Sequence, residues 1–443
     1  MTNKMAAGSG GGNAYSWYVC GVLTLLFAFN FMDRSLIAVV VEPIKQSFAI
    51  SDTMIGVLQG AAFAIFYCLF MYPLARIADH RNRRNLLIIA VVIWCSATVW
   101  CGLAQTVPQL FMGRILTAIG EAAAVPCAIS LLSDYFDPSR RTRAISIWST
   151  GVYLGAALSL GGGGAILKAL GGGTVSVPLL GELEAWRIVF ITMGGAGCIL
   201  VPLLLAVKEP ERRNDTGDAA EAPYSMRQVL AVFKKNLYPL CAVIGGFSAV
   251  SVAGQSIQAW APTLFVRQHG WSGGDAGIWL GLLAISFGPI GAVAGGLVTD
   301  RVMRRRPGDA KVVVGGVCAA LSIIACITLT VEIATLAVAS IATLNFLIGA
   351  SFGLAKTALI EIVPNRMRAQ TVGIYSLVGQ LFVATMGPLT IGVFNDYVFQ
   401  DDAKIAWSMR IVLGISFVIA ALLLLGGRHA VRQAYATRRA VAA

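Results

Sequence analysis

The chain has 443 residues, 57% of them hydrophobic and 13% charged, with a mean hydropathy of +0.75 and a formal net charge of +12. Soluble domains carry about twice that charged fraction, so the composition excludes a water-soluble globular protein and implies an integral membrane one. The basic excess would suggest nucleic acid in a soluble chain; here its distribution is a topology signal, and no nucleic-acid partner is expected.

Residues 1–14 are polar and glycine-rich, lack the basic region, apolar core and cleavage site of a signal peptide, and read as a short disordered tail. Apolar runs long enough to span a bilayer follow near 16–42, 54–78, 85–105, 108–133, 143–168 and 186–207. A second set lies near 237–266, 275–299, 311–330, 333–362, 368–394 and 405–427. The expected fold class is an all-α membrane protein of about twelve transmembrane helices. The first run carries Asn30-Phe31-Met32-Asp33-Arg34 near its end. Charge at membrane depth is costly, so Asp33 and Arg34 either satisfy each other or neighbouring helices as structural pairs, or line a polar cavity that binds a proton or an anionic substrate.

Ser51-Asp52-Thr53 before Met54 reads as a helix start, and Asp275 as the opening of helix 8. Helix 4 carries Arg114 and Glu121, seven positions apart and therefore on one face. A rise of about 1.5 Å per residue puts Asp33 and Arg114 at similar height in the outer third, with Glu121 near or below the midplane. The bland alternative is that Arg114 and Glu121 only lock helix 4 into the bundle. Gly161–Gly164 and Gly171–Gly173 follow no strand pattern and read as close helix packing and a flexible outer turn. Residues 208–236 form the longest polar stretch, a cytoplasmic linker too short for a nucleotide-hydrolysing domain. Helix 10 carries Lys356, with Glu361 near its inner end; both are weaker candidates, because both can snorkel towards the cytoplasm. The nine cysteines all fall in apolar runs without a Cys-x-x-Cys, so neither disulfides nor a metal site is expected.

With both termini cytoplasmic, the inner segments hold 25 of the 34 Lys and Arg residues and the outer segments only six. The positive-inside rule therefore fixes that orientation. The chain also repeats: Asp79-His80-Arg81-Asn82-Arg83-Arg84 after helix 2 is matched by Asp300-Arg301-Val302-Met303-Arg304-Arg305 after helix 8, 221 positions on. Arg143-Ala144 and Arg368-Ala369 repeat 225 positions apart. Two nearly equal offsets imply two six-helix halves, 15–207 and 237–427, followed by a basic cytoplasmic tail at 428–443. Asp79, Arg83, Arg84, Asp300 and Arg301 are expected to form an inner gate, the acids accepting hydrogen bonds from the facing half.

No phosphate-binding loop, zinc-protease motif or plausible dinucleotide fingerprint occurs, and no catalytic residue is assigned. His80, His269 and His429 all map to loops or the tail, so an intramembrane proton carrier has to be a carboxylate.

The two six-helix halves with acid-then-base loops after helices 2 and 8 resemble the major facilitator superfamily over the whole chain. Within it, several segments resemble the spinster-type transporters: Asn30 to Arg34, Asp79 to Arg84, Gly120-Glu121-Ala122-Ala123-Ala124-Val125-Pro126 and Ser130 to Phe136. Arg143 to Ile147 with Gly151 and Gly155, Trp186-Arg187 and Glu209-Pro210 continue the match. The resemblance implies a proton-coupled secondary active transporter that works by alternating access on an amphipathic anionic lipid. A lysophospholipid or a sphingosine-phosphate-like molecule is the implied substrate, with a proton gradient as coupling source and no cofactor. By the family pattern, Asp33 and Glu121 are the protonatable pair, and Arg34 and Arg114, with Asn30, are charge partners or substrate contacts. The implied state is a monomer in the lipid bilayer, the inner membrane in a bacterium.

The chain departs from the superfamily pattern at Asn82, Ala75 and His80, which replace two loop glycines and an arginine, and helix 5 lacks the Gly-Pro pair of many antiporters. An organic-anion or multidrug transporter is the alternative within the class. A membrane enzyme lacks a nucleophile or metal signature here, and a non-transporting receptor does not need the two-fold repeat.

Overall fold

The computed structural model describes residues 14–178, 181–212, 233–234, 236–364 and 367–442. The expected N-terminal tail, apart from Ala14, and most of the expected linker lie outside the described residues. Among these, twelve helices are long and apolar enough to cross a membrane. The first six are α1 (Ala14–Val39), α2 (Asp52–His80), α3 (Arg83–Leu103), α4 (Val107–Tyr135), α5 (Pro138–Ala169) and α6 (Ala185–Leu205). The second six are α7 (Leu237–His269), α8 (Gly273–Arg305), α9 (Ala310–Thr330), α10 (Ala334–Ile362), α11 (Gln370–Phe399) and α12 (Asp402–Ala440). Each overlaps most of one expected apolar run, because hydrocarbon leaves backbone amides no partner except their own helix. The end that carries Ala14 and Ala442 is the termini end, and the opposite one the far end.

Local chemistry sets the boundaries. Ser51 caps α2 by accepting from Met54 N at 3.2 Å, as its position before the run predicts. At α8 the cap is Ser272, which accepts from Asp275 N at 3.0 Å, so Asp275 lies inside the first turn rather than opening the helix. Between α5 and α6, where a flexible turn was expected, β1 (Thr174–Val177) and β2 (Gly181–Glu184) form an antiparallel hairpin with Thr174 opposite Glu184. The basic segment after 427 continues the last helix through Ala442, and Arg438 donates to the carbonyls of Ile360 at 2.6 Å and Glu361 at 2.7 Å.

Each half has its own core, one around Trp94 and Leu23 and the other around Phe247 and Leu424. A third cluster, with Leu36 and Val40 against Trp260 and Phe265, joins the halves at the far end. Exposed Ile89, Val92, Ile290 and Ile324 form a lipid-facing surface.

The halves meet along two seams, α5 on α8 and α2 on α11, both built on glycine. A Cβ on Gly277 would lie 2.5 Å from Leu160 O and 2.9 Å from Gly164 Cα, and one on Gly56 2.8 Å from Leu389 Cα. Small residues let backbones approach where lipid offers no hydrophobic drive. That is the close packing the glycine run at 161–164 suggested.

Candidate functional site

The membrane-embedded charges gather in the first half. α4 breaks immediately after Glu121, where the turn at Ala122 and Ala123 separates Val107–Glu121 from Ala124–Tyr135. Glu121 is fully buried at the end of the first segment, among carbonyls that carry partial negative charge. Arg34 reaches it from α1, with Nε 2.9 Å from Oε2. The guanidinium of Arg34 also lies over two α2 rings, 4.4 Å from the centroid of Tyr67 and 4.8 Å from that of Phe63.

Arg114 Nη1 donates to the backbone carbonyl of Asp33 at 3.1 Å, and its guanidinium lies 5.4 Å from the Phe63 ring. The similar heights inferred for Asp33 and Arg114 are therefore real. Of the alternatives open for Asp33 and Arg34, the structure pairs Arg34 with a neighbouring helix. Arg34 neither pairs with its neighbour Asp33 nor leaves Glu121 to Arg114; the ion pair bridges α1 and α4.

Two acids and two bases balance in formal charge, and the set still holds unused valence. Glu121 Oε1, Asp33 Oδ1, Arg34 Nη2, Arg114 Nε and Nη2, and both amide atoms of Asn30 are buried without a hydrogen-bond partner. Unused guanidinium donors suit an incoming anion, and unused carboxylate oxygens suit a proton.

The other sequence candidates sit elsewhere. Arg83 is fully buried in its own half, paired with Asp134, with Glu209 at 2.7 Å and with Ser130 at 2.7 Å. Arg84 N donates to Glu209 Oε2 at 3.0 Å, which ties the first residues after α6 onto α3. Neither arginine reaches across to the other half, because Glu209 and Asp134 are nearer partners. Asp79, Asp300 and Arg301 are exposed at the termini end. Glu361 pairs with Lys311 near that end. Lys356 lies just past a break in α10 at Gly353 (φ +86°), on the stripe with Phe352 and Thr357 that turns away from its own half. The Phe352 ring contacts that of Tyr153 on α5, their centroids 6.0 Å apart, so the stripe faces the first half.

Sequence reading missed the far end. Among the described residues, hydrogen bonds and ion pairs between side chains of the two halves cluster between the far end and the level of Ser35. Arg267 holds Asp52 through Nη1 at 2.6 Å and Nη2 at 2.8 Å, and Glu42 through Nε at 2.6 Å. Lys45 bridges Asp52 at 2.8 Å and Asp402 at 2.7 Å. Asn395 donates to Asp52 at 2.8 Å, and Asp396 accepts from the amides of Asp52 and Thr53. Asp52, Asp396 and Asp402 converge as metal ligands would, but ammonium, guanidinium and amide groups already engage their oxygens. The available signal was scarcity: the loops at that end carry so few bases that each can be counted and matched to an acid.

The model of the Major Facilitator Superfamily matches residues 23–388. An MFS-type efflux pump of Mycolicibacterium smegmatis is 28% identical over 412 residues, covering 93% of this chain and 91% of that protein. Protein spinster homolog 3 of Danio rerio is 25% identical over 421 residues, covering 89% of this chain and 80% of its own. Among solved structures, a bacterial homolog to the human lysosomal transporter Spinster, inward-facing and unoccupied, matches with a TM-score of 0.78 and 26% identity. That match covers 96% of this chain and 98% of the other.

Proposed function

The chain belongs to the Major Facilitator Superfamily, as a multi-pass transporter of the spinster type, and from that premise we propose that it moves an anionic amphipathic lipid in exchange with, or together with, protons. The observation that carries this reading is the buried quartet Asp33, Arg34, Arg114 and Glu121, with unused donors and acceptors on two helices of one half. A phosphate head group would take the free guanidinium donors, and Lys356 on the facing stripe would approach it from the second half. Protonation of Glu121 would release Arg34, and a released arginine shifts the two-state balance if it interacts differently in each state.

The charge distribution supports a cytoplasmic termini end, which makes the far end outward and the present state inward-facing. On that placement, Asp79 and Asp300 close the inner end in the opposite state by accepting hydrogen bonds from the facing half. Asp79→Asn should then shift label-to-label distances towards the inward-open value, and an unchanged distribution counts against the gate.

The reading is tested by flux in proteoliposomes, using labelled lysophospholipids and a sphingosine phosphate with and without a pH gradient. Gradient-dependent movement of the anionic lipids supports it, and gradient-independent leakage sinks it. A second reading, export of drug-like compounds, is favoured by the efflux-pump relative that aligns with most of this chain. It predicts gradient-driven movement of drug-like dyes and none of lysolipids.

A further inference from the structure

A cavity of about 360 Å³ lies at the far end, away from the buried quartet, lined among others by Val39, Glu42, Leu167, Lys168, Thr263 and Gly273. Its walls come from both halves: the end of α1 and the short helix Val41–Phe48, the end of α5, the end of α7 and the start of α8. Val39 and Leu167 are apolar and buried. Thr263 is only 2% exposed, and its hydroxyl has no hydrogen-bond partner, although a buried hydroxyl normally has one.

The charge beside the cavity is unbalanced. Glu42, Asp52, Asp396 and Asp402 supply four carboxylates to one cluster, whereas Lys45 and Arg267 supply two cations, which leaves a surplus of two negative charges. Lys168 does not correct this, because its Nζ is 2.7 Å from Asp275 Oδ1. Apolar walls, an unsatisfied hydroxyl and a negative surplus together suit one ligand class, an amphipathic amine. Its ammonium would donate to Glu42 and to the Thr263 oxygen, and its apolar body would lie against Val39 and Leu167.

We propose that this cavity binds cationic amphiphiles, and that occupancy holds the far end closed. The walls belong to both halves and separate when the far end opens, so a ligand that binds only the closed form must favour it. This inference needs the two-state cycle and does not depend on which substrate the quartet carries.

The test uses the purified full-length chain with monodansylcadaverine, a fluorescent primary amine, and with dansylglycine as its anionic counterpart. Spin labels on the far-end loops of the two halves report closure. We expect the amine to bind about tenfold more tightly than the acid and to shift the label distances to the closed value. Thr263→Val, which keeps the shape, should weaken amine binding by about threefold. Gly273→Leu should abolish it: a Cβ there has ordinary contacts, 3.6 Å to Val39 O and 3.8 Å to Leu167 Cδ1, so the longer chain fills the cavity. Should Gly273→Leu fail to fold, Thr263→Val carries the test alone. Equal affinity for the two probes, unaltered binding in Thr263→Val, or a signal in Gly273→Leu that tracks detergent concentration would each overturn the proposal.

Discussion

The two halves share one scaffold but bury different chemistry. At the termini end they match: Arg83 pairs with Asp134 where α3 begins and α4 ends, and Lys311 pairs with Glu361 where α9 begins and α10 ends. Those positions are 228 and 227 apart, close to the offset of the internal repeat. In the membrane the halves part company. An offset of 224 carries Asp33 and Arg34 to Ile257 and Gln258, and one of 226 carries Arg114 and Glu121 to Ser340 and Leu347. The pairs that recur belong to the scaffold, since each joins equivalent helix ends within its own half. The quartet occurs once, at a depth where charge is costly, and so needs a reason other than folding. The repeat acts as an internal control that separates structural from functional charge.

The sharpest way to break this comparison is to neutralise one acid in each half. Glu121→Gln leaves the Arg34 guanidinium without its counter-charge and should cost about 3–5 kcal/mol in thermal unfolding. It should also remove the pH dependence of the inward–outward equilibrium. Glu361→Gln touches a pair a third exposed on the acid side and should cost under about 1 kcal/mol, with that pH dependence intact. Spin-label distances followed from acid to neutral pH, with calorimetry beside them, measure both. Equal losses would erase the distinction between the halves.

Next in size is the far-end latch. Arg267→Gln leaves buried Asp52 to Lys45 and Asn395 alone, and should shift the equilibrium away from far-end closure by about 2 kcal/mol, roughly thirtyfold. Distances between far-end labels should lengthen, and a population that stays closed contradicts the latch.

The seams give a graded test. A Cβ on Gly277 would strike backbone of α5, whereas one on Gly161 would come no closer than 3.9 Å to Gly281 Cα. Gly277→Ala should therefore destabilise the closed far end by about 1–2 kcal/mol and Gly161→Ala not measurably, read from the same labels. Similar shifts in both variants would mean that the seam is not set by backbone approach.

The smallest effect is expected at Arg114→Lys, which keeps the charge and loses the forked donors. Affinity for a phosphate-bearing lysolipid should fall by about 1 kcal/mol relative to an uncharged one in a competition assay. Equal losses would make the arginine structural.

The twelve helices, the two halves and the buried quartet as a group were legible in the sequence. Hydropathy and length decide helices when lipid forces every backbone amide to bond within its own segment. Charges at membrane depth are rare enough to be counted one by one, which is why Asp33, Arg34, Arg114 and Glu121 could be singled out before any partner was known. Partner choice was not legible. Arg34 and Glu121 lie 87 positions apart, and Asp52 and Arg267 lie 215 apart, so no local pattern couples them. Nor could sequence tell that Arg83, within the repeated segment, turns inward to Asp134 and Glu209 while Asp79 stays exposed. Ion pairs depend on where two side chains arrive after the helices have packed, at ångström precision, whereas spans depend only on the solvent each residue prefers.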